Sequence, residues 1–95
     1  MYDKFGLFID GRWTSALDGA TAPVFSPVSE RSLGQVPVAS VADTEAAIVS
    51  AAAGFAAWKA KSAFERADAL HAIADEMKCR TDEAAAMISL ETGKP

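Results

Sequence analysis

The chain has 95 residues, and its apolar content of 51% excludes an intrinsically disordered protein, although 21 of the residues are alanine and the predicted core is therefore thin. Its 9 basic and 13 acidic residues give a formal net charge of −4 with no basic run, which argues against binding to nucleic acid. A single cysteine and a single histidine exclude a disulfide framework, a cysteine zinc cage and a multi-histidine metal site.

The first residues lack the basic and apolar regions that together form a secretion signal. The longest uncharged stretch, residues 46–58, is too short to span a bilayer. With the low cysteine count, these features predict a protein of the reducing cytoplasm with no membrane partner.

The first predicted element is a β-hairpin over residues 7–14, with Asp10 and Gly11 as its turn. An Asp-Gly pair favours a type I′ turn because both central residues of that turn need positive φ. A loop of two residues fixes the register of the strands and places Phe8 opposite Trp13.

A loop and an irregular ribbon are predicted next. Residues 15–22 are small and polar and form the loop, and residues 24–28 and 32–39 are the extended segments. Each segment contains a proline, which has no N–H group, so both are predicted as edge strands. Gly34 predicts a bulge or a close approach of another backbone segment.

Three helices are predicted after the ribbon. Ser40 with Asp43 forms a capping box at the start of the first helix, and Ser62 with Glu65 forms another at the start of the second. In each box the serine oxygen accepts a free N–H group of the first turn, and the carboxylate accepts the serine N–H.

The third helix is predicted to begin at Thr81 and to end at Gly93, which takes a left-handed conformation before Pro95. All three helices carry apolar residues at helical spacing, and each therefore has an apolar stripe. The stripes contain Ile48, Ala51, Ala52 and Phe55, then Ala67, Leu70, Ala74 and Met77, then Ala84, Ala85, Met87 and Ile88.

Strands followed by helices predict an α+β fragment, with the hairpin and ribbon at about residues 7–39 and a helical layer at about residues 40–92. Three amphipathic helices need a surface to pack against, and two short ribbons are too small to supply it. We therefore expect residues 1–95 to be one layer of a larger structure. A small free-standing helical domain with a β cap is the alternative.

Two side chains, His71 and Cys79, are candidates for chemistry, and both are better explained as structural residues. His71 lies in the middle of the second helix, with no second ligand or nucleophile near it in sequence. Cys79 lies near the end of the same helix, and the histidine is on a different helical face, which disfavours a cysteine–histidine pair.

No glycine-rich nucleotide loop is present in the sequence. Gly93 and Lys94 follow a helix instead of a strand, and Pro95 replaces the hydroxyl residue of a phosphate loop. Asp82 and Glu83 are adjacent in a first helical turn, where the helix dipole favours acidic residues. The residues therefore predict no catalytic, cofactor-binding or metal site within this chain.

Several short motifs follow one another in a definite order. They are residues 7–13, 26–30, 33–37, 46–58, 65–70 and 90–95. Their order and spacing resemble the N-terminal segment of the NAD(P)-dependent aldehyde dehydrogenases, and most of all the succinate-semialdehyde-dehydrogenase-like members. The family usually has asparagine where Ser26 stands, and often glycine where Glu30 stands, a residue that would ease positive φ.

The resemblance implies a parent enzyme that oxidises an aldehyde, such as succinate semialdehyde, to the carboxylic acid with NAD+ or NADP+. In the family the catalytic cysteine, the general-base glutamate, the oxyanion-hole asparagine and the dinucleotide fold all lie downstream of the matched segment. The resemblance thus implies that residues 1–95 flank the α/β cofactor-binding domain, bind no cofactor and are inactive alone.

The partners that the resemblance implies are the remainder of the dehydrogenase chain and further copies of the parent in a homo-oligomer. In some members a structural monovalent cation is bound at positions that match Val24, Phe25 and Glu91. An acidic residue at a helix end beside a glycine turn has simpler structural explanations, so no metal site is assigned here.

Two other functions stay open on the sequence alone. One is a small independent binding or regulatory module without catalysis, which the well-capped helices favour. The other is a self-contained enzyme that uses Cys79 or His71. The aldehyde and the choice between NAD and NADP are set by residues outside the matched segment.

Overall fold

A computed structural model of the protein describes residues 2–95, apart from the side chain of Asp3. The elements are the 3₁₀ turn Tyr2–Lys4, the strands β1 Leu7–Ile9, β2 Arg12–Thr14, β3 Thr21–Phe25 and β4 Ser32–Pro37, and the helices α1 Val41–Ala60, α2 Ala63–Cys79 and α3 Thr81–Thr92. The predicted α+β arrangement of a hairpin and a ribbon followed by three helices is confirmed.

The strands β1 and β2 form the predicted hairpin, in which Phe8 lies opposite Trp13. Asp10 and Gly11 have φ angles of 54° and 74°, as a type I′ turn requires. The ring centroids of Phe8 and Trp13 are 5.0 Å apart, and Phe5 lies 5.3 Å from Trp13. These aromatic contacts support one face of the hairpin.

The strands β3 and β4 form a second antiparallel pair, whose bounds differ from the prediction. The strand β3 begins at Thr21, inside the segment predicted as a loop, because Thr21 pairs with Pro37 at the far end of β4. It ends at Phe25, so the predicted extension to Val28 is wrong. Pairing across the ribbon therefore outweighs the small, polar composition of the residues around Thr21.

The turn after β3 explains why the strand stops early. The Ser26 hydroxyl accepts hydrogen bonds from the N–H groups of Val28, at 3.3 Å, and Ser29, at 3.2 Å. A side chain that accepts local N–H groups replaces the ladder of a strand with a turn. Glu30, where the family often has glycine, has a φ of 57°.

At Gly34 the predicted bulge is present, and the group that comes close to the glycine is a side chain instead of another backbone segment. The register shifts beside it, since Val24 pairs with Gly34 while Phe25 pairs with Ser32. Its φ is 148°, and a Cβ atom at this position would lie 3.1 Å from the side chain of Tyr2. The Tyr2 side chain therefore packs directly on the glycine.

Both predicted capping boxes are present. The hydroxyl of Ser40 accepts the N–H of Asp43 at 3.2 Å, and the hydroxyl of Ser62 accepts the N–H of Glu65 at 3.1 Å. Each carboxylate accepts the N–H of its serine in return, at 2.9 Å and 2.7 Å. Gly93 ends α3 with a φ of 71°, also as predicted.

The fold is open and thin. Its accessible surface is 7392 Å², whereas a compact protein of this size exposes about 5200 Å². Its radius of gyration is 16.6 Å, whereas a compact domain of this length has about 12.4 Å. Within residues 2–95, leaving Asp3 aside, only Tyr2, Ala16, Ser26 and Asp43 are buried. The helices therefore have no core of their own.

Candidate functional site

The side chains considered for chemistry do not come together. His71 and Cys79 are both exposed on α2. Among the side chains that the structure describes, no group of three or more histidine, cysteine, aspartate or glutamate residues is placed to hold a metal ion. The assignment of His71 and Cys79 as structural residues stays a prediction.

The N-terminal turn holds the end of α3. The Tyr2 hydroxyl donates a hydrogen bond of 2.6 Å to Oε1 of Glu91, and Tyr2 is only 6% exposed. This bond, together with desolvation and the nearby carboxylate charge, raises the pKa of Tyr2. Sequence reasoning missed this tyrosine because it lies outside every periodic pattern and far from its partner along the chain.

The turn after α3 is anchored to the same part of the fold. A Cβ atom at Gly93 would lie 2.9 Å from Cγ2 of Val28 and 3.5 Å from Cγ of Pro27. The backbone after α3 therefore lies directly on the turn that follows β3. With the bond from Tyr2 to Glu91, this contact fixes the C-terminal end of α3 against the ribbon.

The start of α1 is fixed by Asp43, which is 4% exposed. Beyond its capping bond, its carboxylate accepts the hydroxyl of Ser40 at 2.7 Å and the N–H of Leu17 at 3.2 Å. The bonds from Ser40 and the bond from Leu17 lower the pKa of Asp43, while desolvation opposes them. Asp43 thus joins α1 to the loop before β3.

A groove with a volume of about 610 Å³ separates the hairpin from α1. Ile9, Leu17 and Val49 form its apolar walls. Ser50 of α1 reaches across it and donates a hydrogen bond of 3.4 Å to Asp10. The hairpin therefore contacts α1 along a narrow line.

Each of the three helices exposes large apolar side chains. Five of them come from the predicted stripes and are 54% to 67% exposed. They are Ile48, Phe55, Leu70, Met77 and Ile88, and we call them the helical apolar surface. Large apolar side chains that are exposed on three successive helices indicate faces that pack against another part of a protein. None of the helices in residues 2–95 has the combined length and apolar character that crossing a membrane requires.

Comparison with known proteins identifies the family. The model of the aldehyde dehydrogenase family matches residues 13–95. The chain belongs to the aldehyde dehydrogenase family. It is similar to the non-phosphorylating aspartate-semialdehyde dehydrogenase of Halomonas elongata, with 35% identity over 88 residues, which are 93% of this chain and 18% of that relative.

Solved structures of aldehyde dehydrogenases contain the same fold. The crystal structure of PnpE in complex with nicotinamide adenine dinucleotide matches with a TM-score of 0.92 and 36% identity, over 100% of this chain and 19% of that one. Succinate-semialdehyde dehydrogenase from Burkholderia pseudomallei matches with a TM-score of 0.86 and 36% identity, over 90% of this chain and 18% of that one. The resemblance found in the sequence is confirmed, and the chain spans about a fifth of the length of these aldehyde dehydrogenases.

Proposed function

We propose that this chain is the N-terminal segment of an NAD(P)-dependent aldehyde dehydrogenase and flanks the α/β cofactor-binding domain of the parent enzyme. The parent oxidises an aldehyde to the carboxylic acid in the cytoplasm. This segment contributes no catalytic or cofactor-binding residue, and it is inactive alone.

The observation that carries this proposal is the helical apolar surface in a fold with almost no core. The accessible surface of 7392 Å² exceeds that of a compact protein of the same size by roughly 2000 Å². An independent module would have to leave this surface in water, where it favours association. A longer dehydrogenase chain covers it instead, and the relatives are much longer, since this chain spans only 18–19% of them.

The proposed substrate is a short aldehyde that carries a carboxylate, with succinate semialdehyde as the first choice. Support comes from the relatives named for succinate semialdehyde and aspartate semialdehyde, two aldehydes that share this chemistry. NAD or NADP is the proposed hydride acceptor, and the NAD complex of PnpE supports the first of the two. The remainder of the chain binds the cofactor and the substrate.

The test is to read the coding sequence beyond Pro95 and to express the whole chain. We expect the reduced nicotinamide cofactor to form when succinate semialdehyde is added to the whole chain, and no turnover from residues 1–95 alone. Light scattering of the whole chain is expected to show a homo-oligomer.

A different result would support the independent module. In that case the coding sequence stops after Pro95, and residues 1–95 melt cooperatively as a discrete species. Turnover of an aldehyde by residues 1–95 alone would instead support a self-contained enzyme. In that case substitution of Cys79 by serine should abolish the activity.

A further inference from the structure

Two aspartate–glycine pairs lie close together in the sequence, at residues 10–11 and 18–19. In such a pair the glycine nitrogen can attack Cγ of the aspartate and close a five-membered imide ring, because the glycine has no side chain to obstruct the approach. All four residues are exposed, and a Cβ atom at either glycine would have no neighbour within 4 Å. Exposure and space therefore do not distinguish the two pairs, and their backbone conformation has to.

The imide ring needs one particular conformation at the aspartate. The ring contains Cβ, Cα and C of the aspartate together with the glycine nitrogen, so Cβ and that nitrogen must lie on the same side of the Cα–C bond. At an L residue this arrangement has a ψ of about −120°, which is also the ψ at the first central residue of a type II′ turn, where φ is about 60°. At negative φ such a ψ lies outside the allowed regions. Positive φ at the aspartate therefore favours ring closure.

Asp10 already has a φ of this kind. It is the first central residue of the type I′ turn, with a φ of 54°, and Glu30 is the only other residue within 2–95, glycine apart, with positive φ. Turns of types I′ and II′ differ in the orientation of the central peptide plane, and both join strands through two-residue loops. Rotation of the plane between Asp10 and Gly11 therefore reaches the ring geometry while Ile9 stays paired with Arg12.

The side chain of Asp10 is held only weakly. Its Oδ1 accepts the Ser50 hydroxyl at 3.4 Å, and its Oδ2 lies 3.5 Å from Nη2 of Arg12. Both contacts are long, and the side chains of Asp10 and Arg12 are 70% and 73% exposed. An ion pair that is exposed to this degree contributes little to stability. The carboxyl group can thus turn toward the nitrogen of Gly11 at little cost.

The second pair is held away from the ring geometry. The Gly19 N–H donates to the Ala16 carbonyl at 2.9 Å, and Oδ1 of Asp18 accepts the Ala20 N–H at 2.9 Å. Asp18 has negative φ, so the first of these bonds makes residues 16–19 a type I turn, in which Asp18 has a ψ of about 0°. Ring closure at Asp18 would therefore break both bonds and force the backbone out of its allowed regions.

We propose that Asp10 is a site of spontaneous isomerisation to isoaspartate, and that its turn protects Asp18 from the same reaction. The Gly11 nitrogen bonds to Cγ of the protonated Asp10 carboxyl group, and the nitrogen's proton leaves with the carboxyl hydroxyl as water. Water then opens the imide at Cγ, which restores aspartate, or at the backbone carbon, which leaves Gly11 linked through Cγ. The reaction needs no enzyme or cofactor, and the inference is independent of the proposed function.

Isomerisation lengthens the backbone of the turn by one carbon atom, Cβ. The two-residue loop that places Phe8 opposite Trp13 is then lost, and the carboxylate moves relative to Ser50. The strands on either side of the turn have three residues each, and a two-stranded hairpin is marginally stable by itself. We therefore expect the hairpin to loosen from α1 as isoaspartate accumulates.

The test follows both pairs in one sample of the unmodified full-length protein, incubated at neutral pH. Trypsin cleaves after Lys4, Arg12 and Arg31, so each pair falls in a peptide of its own, in which mass spectrometry with electron-based fragmentation distinguishes isoaspartate from aspartate. We expect isoaspartate to accumulate roughly tenfold faster at Asp10 than at Asp18, because ring closure depends steeply on geometry. In denaturant the two rates should become similar, since both turns are lost.

Two results of this experiment would overturn the proposal. One is isomerisation in the folded protein that is as fast at Asp18 as at Asp10, or faster. The other is a folded protein without isoaspartate at Asp10 under conditions in which the denatured chain forms it.

Matched variants repeat the comparison with a different leaving group. Asp10→Asn and Asp18→Asn are made in separate full-length proteins, and the ring then closes with loss of ammonia instead of water. Asparagine accepts positive φ as aspartate does, so both turns are retained. Opening of the ring by water leaves an acid in place of the amide, and the mass of the intact protein reports this change. Asp10→Asn should lose ammonia roughly tenfold faster than Asp18→Asn, and similar rates would contradict the proposal.

Discussion

Residues 2–43 and residues 44–95 use their polar groups differently. The four residues that are buried, among those whose side chains the structure describes, all lie in the first region. This region also forms bonds between residues far apart in sequence, as from the Leu17 N–H to Asp43. In the second region, the side-chain hydrogen bonds on α2 and α3 mostly join residues three or four positions apart, as between Arg80 and Glu83. The first region therefore closes on itself, whereas the second forms secondary structure and leaves its apolar faces open.

The two capping boxes make this difference measurable. Both have the two bonds of a capping box, but Asp43 is 4% exposed and also binds the Ser40 hydroxyl and a loop, while Glu65 is exposed. A local motif therefore fixes where a helix begins, and tertiary contacts decide whether that helix end is held in place.

The largest effect on stability is expected from Gly34→Ala, which lies in residues 2–43. The new methyl group meets the Tyr2 side chain, and alanine is strained at a φ of 148°. The free energy of opening β3 and β4, measured by native-state hydrogen exchange in the full-length protein, should fall by about 2–3 kcal/mol.

The matched control for this change is Gly19→Ala. Gly19 has a φ of 71°, but no atom outside its chain neighbours lies within 4 Å of the place that the new methyl group would take, so only backbone strain remains. Its cost should be about 1 kcal/mol. Equal losses for the two variants would show that the Tyr2 contact contributes nothing.

The next effect is a difference in stability loss when the capping serine is removed from α1 or from α2. Ser40→Ala should lower the opening free energy of the first turn of α1 by about 1–2 kcal/mol, because Ser40 also donates to the buried Asp43. Ser62→Ala should lower that of α2 by about 0.5–1 kcal/mol. Hydrogen exchange of the first-turn amides measures both, and a larger loss at α2 would reverse the comparison.

A smaller effect, of opposite sign, is expected in the turn after β3. Glu30→Gly removes the strain of a side chain at a φ of 57° and keeps the N–H bond from residue 30 to Ser26, which is 2.9 Å long. Stability of the ribbon should rise by about 0.5–1 kcal/mol, since glycine tolerates this conformation. A loss of stability would mean that the side chain contributes more than its strain costs.

The smallest effect is a pH dependence of the Leu17 amide, whose N–H binds the Asp43 carboxylate. The pKa of Asp43 is lowered by its hydrogen bonds, so the carboxylate stabilises the fold above its ordinary pKa and loses that effect as the pH falls through the lowered value. The protection factor of the Leu17 amide should therefore drop below about pH 4.

Two variants serve as controls for that titration. Asp43→Asn should remove the drop at Leu17, because no charge is left to neutralise. Glu65→Gln should leave the drop unchanged, although the pKa of Glu65 is also lowered by its serine cap. A drop that persists in Asp43→Asn would assign the titration to another group.

Local features of this fold were predictable from the sequence. Asp10 and Gly11 specify their turn by conformation alone, and each capping serine acts on a residue three positions away. The sequence also predicted that the helices expose apolar faces, because the three stripes have more area than two short ribbons can cover. The ordered motifs identified the family because each of them is a short run of neighbouring residues, which can be recognised without any long-range contact.

Long-range contacts were not predictable by the same reasoning. The partners Tyr2 and Glu91 are separated by 89 positions, and no periodicity joins residues so far apart. Likewise, nothing around Leu17 marks its N–H as the partner of Asp43. The early start of β3 at Thr21 has the same cause, because the opposite strand, and not the local composition, decides it.

The clasp between Tyr2 and Glu91 has a consequence for how the protein is made. This bond joins the first turn to the last helix. Nearly all of residues 2–95 must therefore leave the ribosome before the bond can form. Until then, the Tyr2 side chain can pack on Gly34, but its hydroxyl cannot bond to Glu91. Chaperones that act on emerging chains would therefore meet these helices before the clasp secures them.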